Sequence, residues 1–336
     1  MRLSRVGLST NNLTYAVLGE ALRYWDFFPT GVAGTAHVPL WGFADVVASE
    51  SAVLRVGDRV FGYLPSASHL LITPEPLTVG RFRDAAPHRA DLMPIYNEYS
   101  IMTGARDSAE RENLTALYRP LFMTSFVFED FAADNDWFGA RRLLISSASS
   151  KTGYGVAHLA HARAGIEVVG ITSPANLAFT RKLGCYDAVI TYDDVEALPA
   201  APTLYADVAG DTGLRTRLHR HLAADLTYDA VLGASHVTAP AAEMDGAHVV
   251  GVEPTVFLAF DHLRARAALW GPGELANRYN AAWESLQPLL HDHLDVTTHQ
   301  DAEALRRAWT DLQLGRVDPR QGLVLTFPGR PTDPRP

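Results

Sequence analysis

The chain has 336 residues, 47% of them apolar and 20% charged, with 29 Lys and Arg against 38 Asp and Glu. This is ordinary globular composition with room for two domains, and the net charge of −9 argues against a nucleic-acid surface, which needs a basic patch. No apolar run approaches the roughly 18 residues of a membrane helix, and the single cysteine, Cys185, excludes disulfides, a four-cysteine zinc and a Cys-x-x-Cys redox pair.

Met1–Asn12 is polar, without the apolar core of a signal peptide, so a cytoplasmic protein is expected. Up to about Thr73 the chain reads as β-rich. Strands are expected at Val32–Val38, Asp45–Ala48, Val60–Tyr63 and Ser68–Thr73, punctuated by Pro29, Gly31, Gly34, Pro39, Gly42 and Gly57-Asp58. The run Tyr24-Trp25-Asp26-Phe27-Phe28 is either a core plug or the wall of a substrate pocket. Arg81–Leu117 is polar, with Tyr96, Asn97 and Tyr99 close together. Two helices are expected next, Ser108–Tyr118 and Phe122–Phe131.

The densest signal is Leu143–Ala162, LLISSASSKTGYGVAHLAHA. Leu143 to Ile145 form a short apolar run, as a strand buried on both faces should. Ser146 to Thr152 are small or hydroxylated, and Val156, Leu159, Ala160 and Arg163 follow at helical spacing. A helix N-terminus aimed at such a turn favours a phosphate. A strand Glu167–Thr172, a helix Asn176–Leu183 and a strand Ala188–Tyr192 continue the pattern, giving half of a dinucleotide-binding fold. Strands at Leu204–Ala209, Asp229–Gly233 and His248–Val252 bring the count to six. After Pro254 come apolar Val256–Trp270, helices Glu274–Leu290 and Asp301–Leu314, and a closing strand Gly322–Phe327.

Lys151, one of only two lysines, lies in the phosphate-type turn. Ser150-Lys151-Thr152 mimics the end of a P-loop, but Ile145 and Ser150 stand where its two glycines belong, and Gly233-Ala234-Ser235-His236 is not a nucleophile elbow. Cys185, between a helix end and a strand, reads as a packed structural residue. The pairs His158/His161, His219/His221 and His291/His293 lack a nearby carboxylate pattern and read as solvated faces, so no metal is expected.

Six segments in order carry a family resemblance: NNLTYAVLG (Asn11–Gly19), VPLWGFADVVAS (Val38–Ser49), VGDRVFGYLPSASHLLI (Val56–Ile72), LISSASSKTG (Leu144–Gly153), LGCYDAVITY (Leu183–Tyr192) and DVAG (Asp207–Gly210). The chain resembles the medium-chain dehydrogenase/reductase superfamily in its zinc-free, quinone-reductase-like branch, within an uncharacterised group of that branch. The resemblance implies an α/β fold. A GroES-like β-rich domain would comprise residues 1–120 and 255–336, and a Rossmann-type doubly wound sheet residues 121–254, with the active site in the cleft between them. It implies hydride transfer from NADPH to an enone, quinone or carbonyl of a small molecule, and a homodimer.

The site residues implied are Tyr15, Asn12, Tyr96 and Asn97 for catalysis, with Thr124 beside the nicotinamide. The cofactor would be held by Ser147, Ser149, Ser150, Lys151, Thr152, Gly153, Ser173, Asn176, Tyr192, Gly210 and Gly233. The glycine-rich turn of the family is altered here: Ser147 replaces the first glycine, Ser150-Lys151 the central pair, and Gly153 remains. Hydroxyl and ammonium donors would compensate. The second strand ends in Ile171-Thr172-Ser173 without the acid that bonds an NAD ribose, which favours NADPH over NADH. Two alternatives stay open on the same fold, a non-redox lyase or isomerase and a cofactor-free binding protein.

Overall fold

The computed structural model describes residues 1–102, 108–232, 251–300 and 302–327. Along the chain these form β1 (Arg2–Leu8), α1 (Thr10–Val17), β2 (Leu40–Asp45), β3 (Arg59–Leu64), β4 (Pro74–Thr78), β5 (Arg81–Asp84), β6 (Glu98–Met102) and α2 (Ala109–Asp134). There follow β7 (Arg142–Ile145), α3 (Lys151–His161), β8 (Glu167–Thr172), α4 (Leu177–Lys182), β9 (Ala188–Thr191), β10 (Thr203–Asp207), α5 (Thr212–Leu222) and β11 (Leu226–Val231). The last elements are β12 (Thr255–Val256), α6 (Ala259–Trp270), α7 (Pro272–His293), β13 (Asp295–His299), α8 (Ala302–Gln313) and β14 (Gln321–Thr326). The chain divides into two compact units, Met1–Arg119 with Asp295–Pro336, and Pro120–Leu294.

The first unit is built on an eight-stranded mixed sheet in the order β13-β14-β1-β2-β3-β6-β5-β4. Leu3, Val6 and Leu8 of β1 meet Leu40 and Ala44 of β2, Val60 and Leu64 of β3, and Ala308 and Leu312 from the apolar face of α8. Two glycines are set by close backbone approach. A Cβ on Gly7 would lie 2.5 Å from the Ala116 carbonyl, and one on Gly42 would lie 2.2 Å from that of Arg5.

The second unit holds a six-stranded parallel sheet in the order β12-β11-β10-β7-β8-β9. Read from the other edge, the first three strands of this unit run outward on one side and the last three on the other, which is the doubly wound order. Leu143 to Ile145, Val168, Val169, Leu204 and Tyr205 are all buried, as strands covered on both faces require.

Several sequence expectations change. The two helices expected at Ser108–Tyr118 and Phe122–Phe131 are one helix, α2. Pro120 lies inside it, and buried Leu114, Leu117, Phe122 and Phe126 on either side outweigh one lost helix donor. Val32–Val38 is not a strand, since Gly31 and Gly34 turn the chain at φ +74° and +75°. Ser68–Thr73 makes only an isolated bridge from His69 to Arg2, and the strand starts at Pro74. The expected strand Asp45–Ala48 lies earlier, as β2. Gly233 and His248–Val250 lie outside the described residues, and the sixth strand is β12.

Residues 255–294, expected with the first unit, belong to the second. Strand β12 extends β11. Asp130 of α2 accepts from His262 at 2.8 Å and pairs with Arg266, which also reaches Asp134 at 2.7 Å. Phe122 meets Trp283 at 5.6 Å between ring centroids. His219, expected on a solvated face, is buried and bonded to Asp229 at 2.7 Å. Cys185 is buried, and burial pushes its thiol up to about 12.

Asp229 also accepts from Arg215 at 3.0 Å. Replacing it with Ala removes one of the two carboxylates on the buried Arg215 and the Asp229 bond of His219, so Asp229→Ala is expected to cost about 2–3 kcal/mol in urea-unfolding free energy. A loss below about 1 kcal/mol would show that the pairing does not hold this unit together.

Candidate functional site

The turn from β7 into α3 stands where the strand order reverses, between β7 and β10. Ser146 begins it. Its hydroxyl donates to Asp207 Oδ1 at 2.8 Å and accepts the amides of Val208 and Ala209, both at 3.0 Å. Asp207 Oδ1 also accepts from the Tyr205 hydroxyl at 3.1 Å and the Gly210 amide at 2.9 Å, while Oδ2 pairs with Arg215. Burial pushes the Asp207 carboxyl up, against the pull of the Arg215 guanidinium.

Ser147 follows in the left-handed region, at φ +50°. A non-glycine residue there costs about 1–3 kcal/mol. Its amide donates to the Tyr192 hydroxyl at 3.1 Å. The Ala148 amide donates to the Ile171 carbonyl at 2.9 Å, and the Ala148 carbonyl accepts from Tyr186 at 2.8 Å. Ser150 caps α3, its Oγ accepting from the Gly153 amide at 3.1 Å. A Cβ on Gly153 would lie 2.8 Å from the Ser147 carbonyl, so the surviving glycine permits the turn to close on the helix. Lys151, a half-buried residue, opens α3, and desolvation of its ammonium pushes it down to about 8.

The polar groups expected around a nucleotide largely assemble here. Asn176 donates to the Ser149 hydroxyl at 3.1 Å, and its amide to the Ser173 carbonyl at 3.0 Å. Tyr192 reaches the turn from the end of β9, and burial pushes its hydroxyl up to about 12. Thr152 offers its carbonyl to the Ser125 hydroxyl at 3.0 Å, and Thr124 is the half-buried residue before Ser125 on α2. No carboxylate stands between Ile171 and Asn176. Ser146, Asp207, Arg215 and Tyr186 were not among the expected site residues. DVAG signals Asp207, but nothing in the sequence points to Arg215 or Tyr186.

The expected catalytic residues lie in the first unit, in a cluster of rings. The Tyr15 hydroxyl accepts from Trp41 Nε1 at 3.0 Å. Its ring meets Tyr24 at 4.7 Å, Tyr63 at 5.3 Å and Tyr96 at 6.3 Å, and Tyr63 meets Tyr96 at 4.6 Å. Tyr15 is 3% exposed and Tyr63 fully buried, while Tyr96 is half-buried. Burial raises the hydroxyls of Tyr15, Tyr24, Tyr63 and Tyr96. Asn12 has both ends of its amide in structural use, accepting from the Ser9 amide at 2.8 Å and donating to the Pro39 carbonyl at 2.9 Å. Asn97 donates to the Arg89 carbonyl at 3.1 Å. The segment Tyr24–Phe28 contributes Phe27 and Phe28 to this cluster.

Among the described residues, no group of three or more His, Cys, Asp or Glu side chains could hold a metal ion, and no helix is long and apolar enough to cross a membrane.

Residues 6–318 match the family described as protein of unknown function (DUF2855). The chain belongs to that family. None of the curated proteins matches it. Among solved structures it is similar to CurA from Vibrio vulnificus in complex with NADPH, at 16% identity over 98% of this chain and 89% of that one, with a TM-score of 0.59. Mycobacterial Rv1454c complexed with NADPH gives 16% identity, 97% and 90% coverage and a TM-score of 0.54. The quinone oxidoreductase from Coxiella burnetii gives 15%, 97% and 89%, and 0.53. The fold is therefore that of the medium-chain dehydrogenases/reductases, a Rossmann-type sheet with a GroES-like partner.

The left-handed serine gives a check on the turn. Ser147→Gly removes the strain but loosens the unfolded chain, so its melting temperature should equal or exceed that of the wild type. Ser147→Val, β-branched in the same region, should lose about 2 kcal/mol or more. Equal stability of the two variants would mean that residue 147 is not left-handed.

Proposed function

We propose that this protein is an NADPH-dependent oxidoreductase that reduces an enone, quinone or carbonyl of a small molecule without zinc. The observation that carries the reading is the turn at the sheet's switch point. Its first family glycine is replaced by a serine that keeps the left-handed backbone a glycine would supply, over a helix closed by Gly153. A dinucleotide fits this donor set. Ser149, Ser150, Lys151 and Thr152 offer hydroxyl and ammonium donors to a pyrophosphate at the α3 N-terminus. Ser173 and Asn176 follow β8 and Tyr192 follows β9, and the segment Ile171–Asn176 carries no carboxylate to repel a ribose 2′-phosphate. Two structures similar to this one are NADPH complexes, which supports the choice of nucleotide.

When bound, NADPH supplies a hydride to an electron-poor carbon. Thr124 and Gly210 are assigned to its surroundings. Tyr15 and Tyr96, kept protonated by burial, suit hydrogen-bond donation to a substrate oxygen rather than proton abstraction. One observation favours the cofactor-free alternative: the amides of Ser147, Ala148, Ser150 and Gly153 are already paired within the unit. Nucleotide titration separates the two.

Calorimetric titration with NADPH is expected to give micromolar affinity, weakened about tenfold in Lys151→Ala, the scale of one charge-assisted contact. No heat at millimolar NADPH or NADH would exclude the reductase and leave the cofactor-free reading. Lys151 also sets a pH dependence. Its ammonium is charged below about 8 and neutral above. NADPH affinity should therefore fall as pH rises from 7 to 9 in the wild type, and stay flatter in Lys151→Ala.

A further inference from the structure

We propose that the Tyr192 hydroxyl is a gate on the nucleotide turn, holding the Ser147 amide until a phosphate of the ligand takes its place. The inference rests on the reading of the turn as a dinucleotide site.

The amides of the turn have unlike partners. Ala148 donates to a strand carbonyl, Ile171, and Ser150 to the Ser147 carbonyl across the turn itself. Gly153 donates to the Ser150 hydroxyl that caps α3. Ser147 alone of these four donates to a side chain from outside the turn, the Tyr192 hydroxyl at 3.1 Å, 45 residues further along the chain. Exchanging any other partner unpicks the sheet or the first turn of α3. Exchanging this one leaves both intact and needs the Tyr192 side chain to turn about its Cα–Cβ bond, which also lifts its hydroxyl from the Ser147 side chain.

The backbone of Tyr192 is pinned, and its half-buried ring lies at the edge of the apolar layer rather than within it. Its carbonyl accepts from Arg217 Nη1 at 3.0 Å, and Arg217 is held by Glu196 at 2.7 and 2.5 Å. A phosphate oxygen carries charge and is a stronger acceptor than a neutral phenol, by roughly a factor of two in bond energy. The left-handed backbone of Ser147 aims its amide at the hydroxyl, so the strain at that residue serves a donor the ligand can claim. No bond is made or broken covalently; one acceptor replaces another on the same N–H.

The resemblance assigns Tyr192 a different task, as part of a clamp on the ribose 2′-phosphate. The two roles separate by nucleotide, because NADPH and NADH share the pyrophosphate and differ in the 2′-phosphate. The test is calorimetric titration of the full-length wild type and Tyr192→Phe with NADPH and with NADH, each sample checked for an intact thermal transition. A gate predicts that Tyr192→Phe binds both nucleotides more tightly, by the same factor of about five, the scale of one neutral hydrogen bond. Tyr192→Leu, which also lacks the hydroxyl, should move both affinities in the same direction. Weaker NADPH binding with NADH unchanged would overturn the gate in favour of the clamp and leave the dinucleotide reading standing. Unchanged affinity for both would also overturn it. Failure of all three proteins to bind either nucleotide would overturn the gate together with the reading beneath it.

Discussion

The carboxylate of Asp207 fixes the strand ends at which the order of the second unit's sheet reverses. Fully buried, it accepts from Ser146 at the end of β7, from Tyr205 on its own strand and from the Gly210 amide beyond β10, and it pairs with Arg215 of α5. A buried carboxylate is costly unless every lone pair is used. Here the groups that use them are those that must be held where the strand order reverses. Arg215 passes the constraint on to Asp229, and Asp229 to His219, so the ends of β7 and β10 and one face of α5 form one charged network inside an apolar layer.

The serine turn depends on that anchor. With Ser146 held by Asp207 and two amides, the chain enters the turn in a set direction, and Ser147 takes the left-handed conformation that a glycine would adopt without cost. Serine adds a Cβ where the phosphate-binding turn of a Rossmann fold has none. The turn meets this with side-chain partners: Tyr192 on the Ser147 amide, Asn176 on the Ser149 hydroxyl, Tyr186 on the Ala148 carbonyl. The turn is held by side chains from the segments that follow β8 and β9 as well as by its own backbone.

The central strands of the second unit were legible because a parallel strand buried on both faces must be a short apolar run. Glu167–Thr172 was read at its observed bounds, and β7, β9 and β10 within one or two residues. The first unit hid its edges. Strand β4, PEPLT, is mostly exposed, and β5, RFRD, carries Arg81 and Arg83 in ion pairs with Glu98 and Glu75, so neither shows an apolar signal. Helix α1 was concealed in a segment valued for its motif; Asn12, read as a reacting-site residue, has its amide in use at the start of that helix and at Pro39. At the site, the identity of the turn residues was legible but their partners were not. The contact of Tyr192 with Ser147, and the chain from Asp207 to His219, are tertiary facts with no periodicity to announce them.

We propose that the turn Ser146–Gly153 and the end of β8 receive a dinucleotide. Hydrogen–deuterium exchange of the intact protein with and without millimolar NADPH probes this at the backbone itself. Slowed exchange is expected in peptides covering Ser147–Gly153 and Thr172–Asn176. Protection confined to other segments, or none at all, would contradict it.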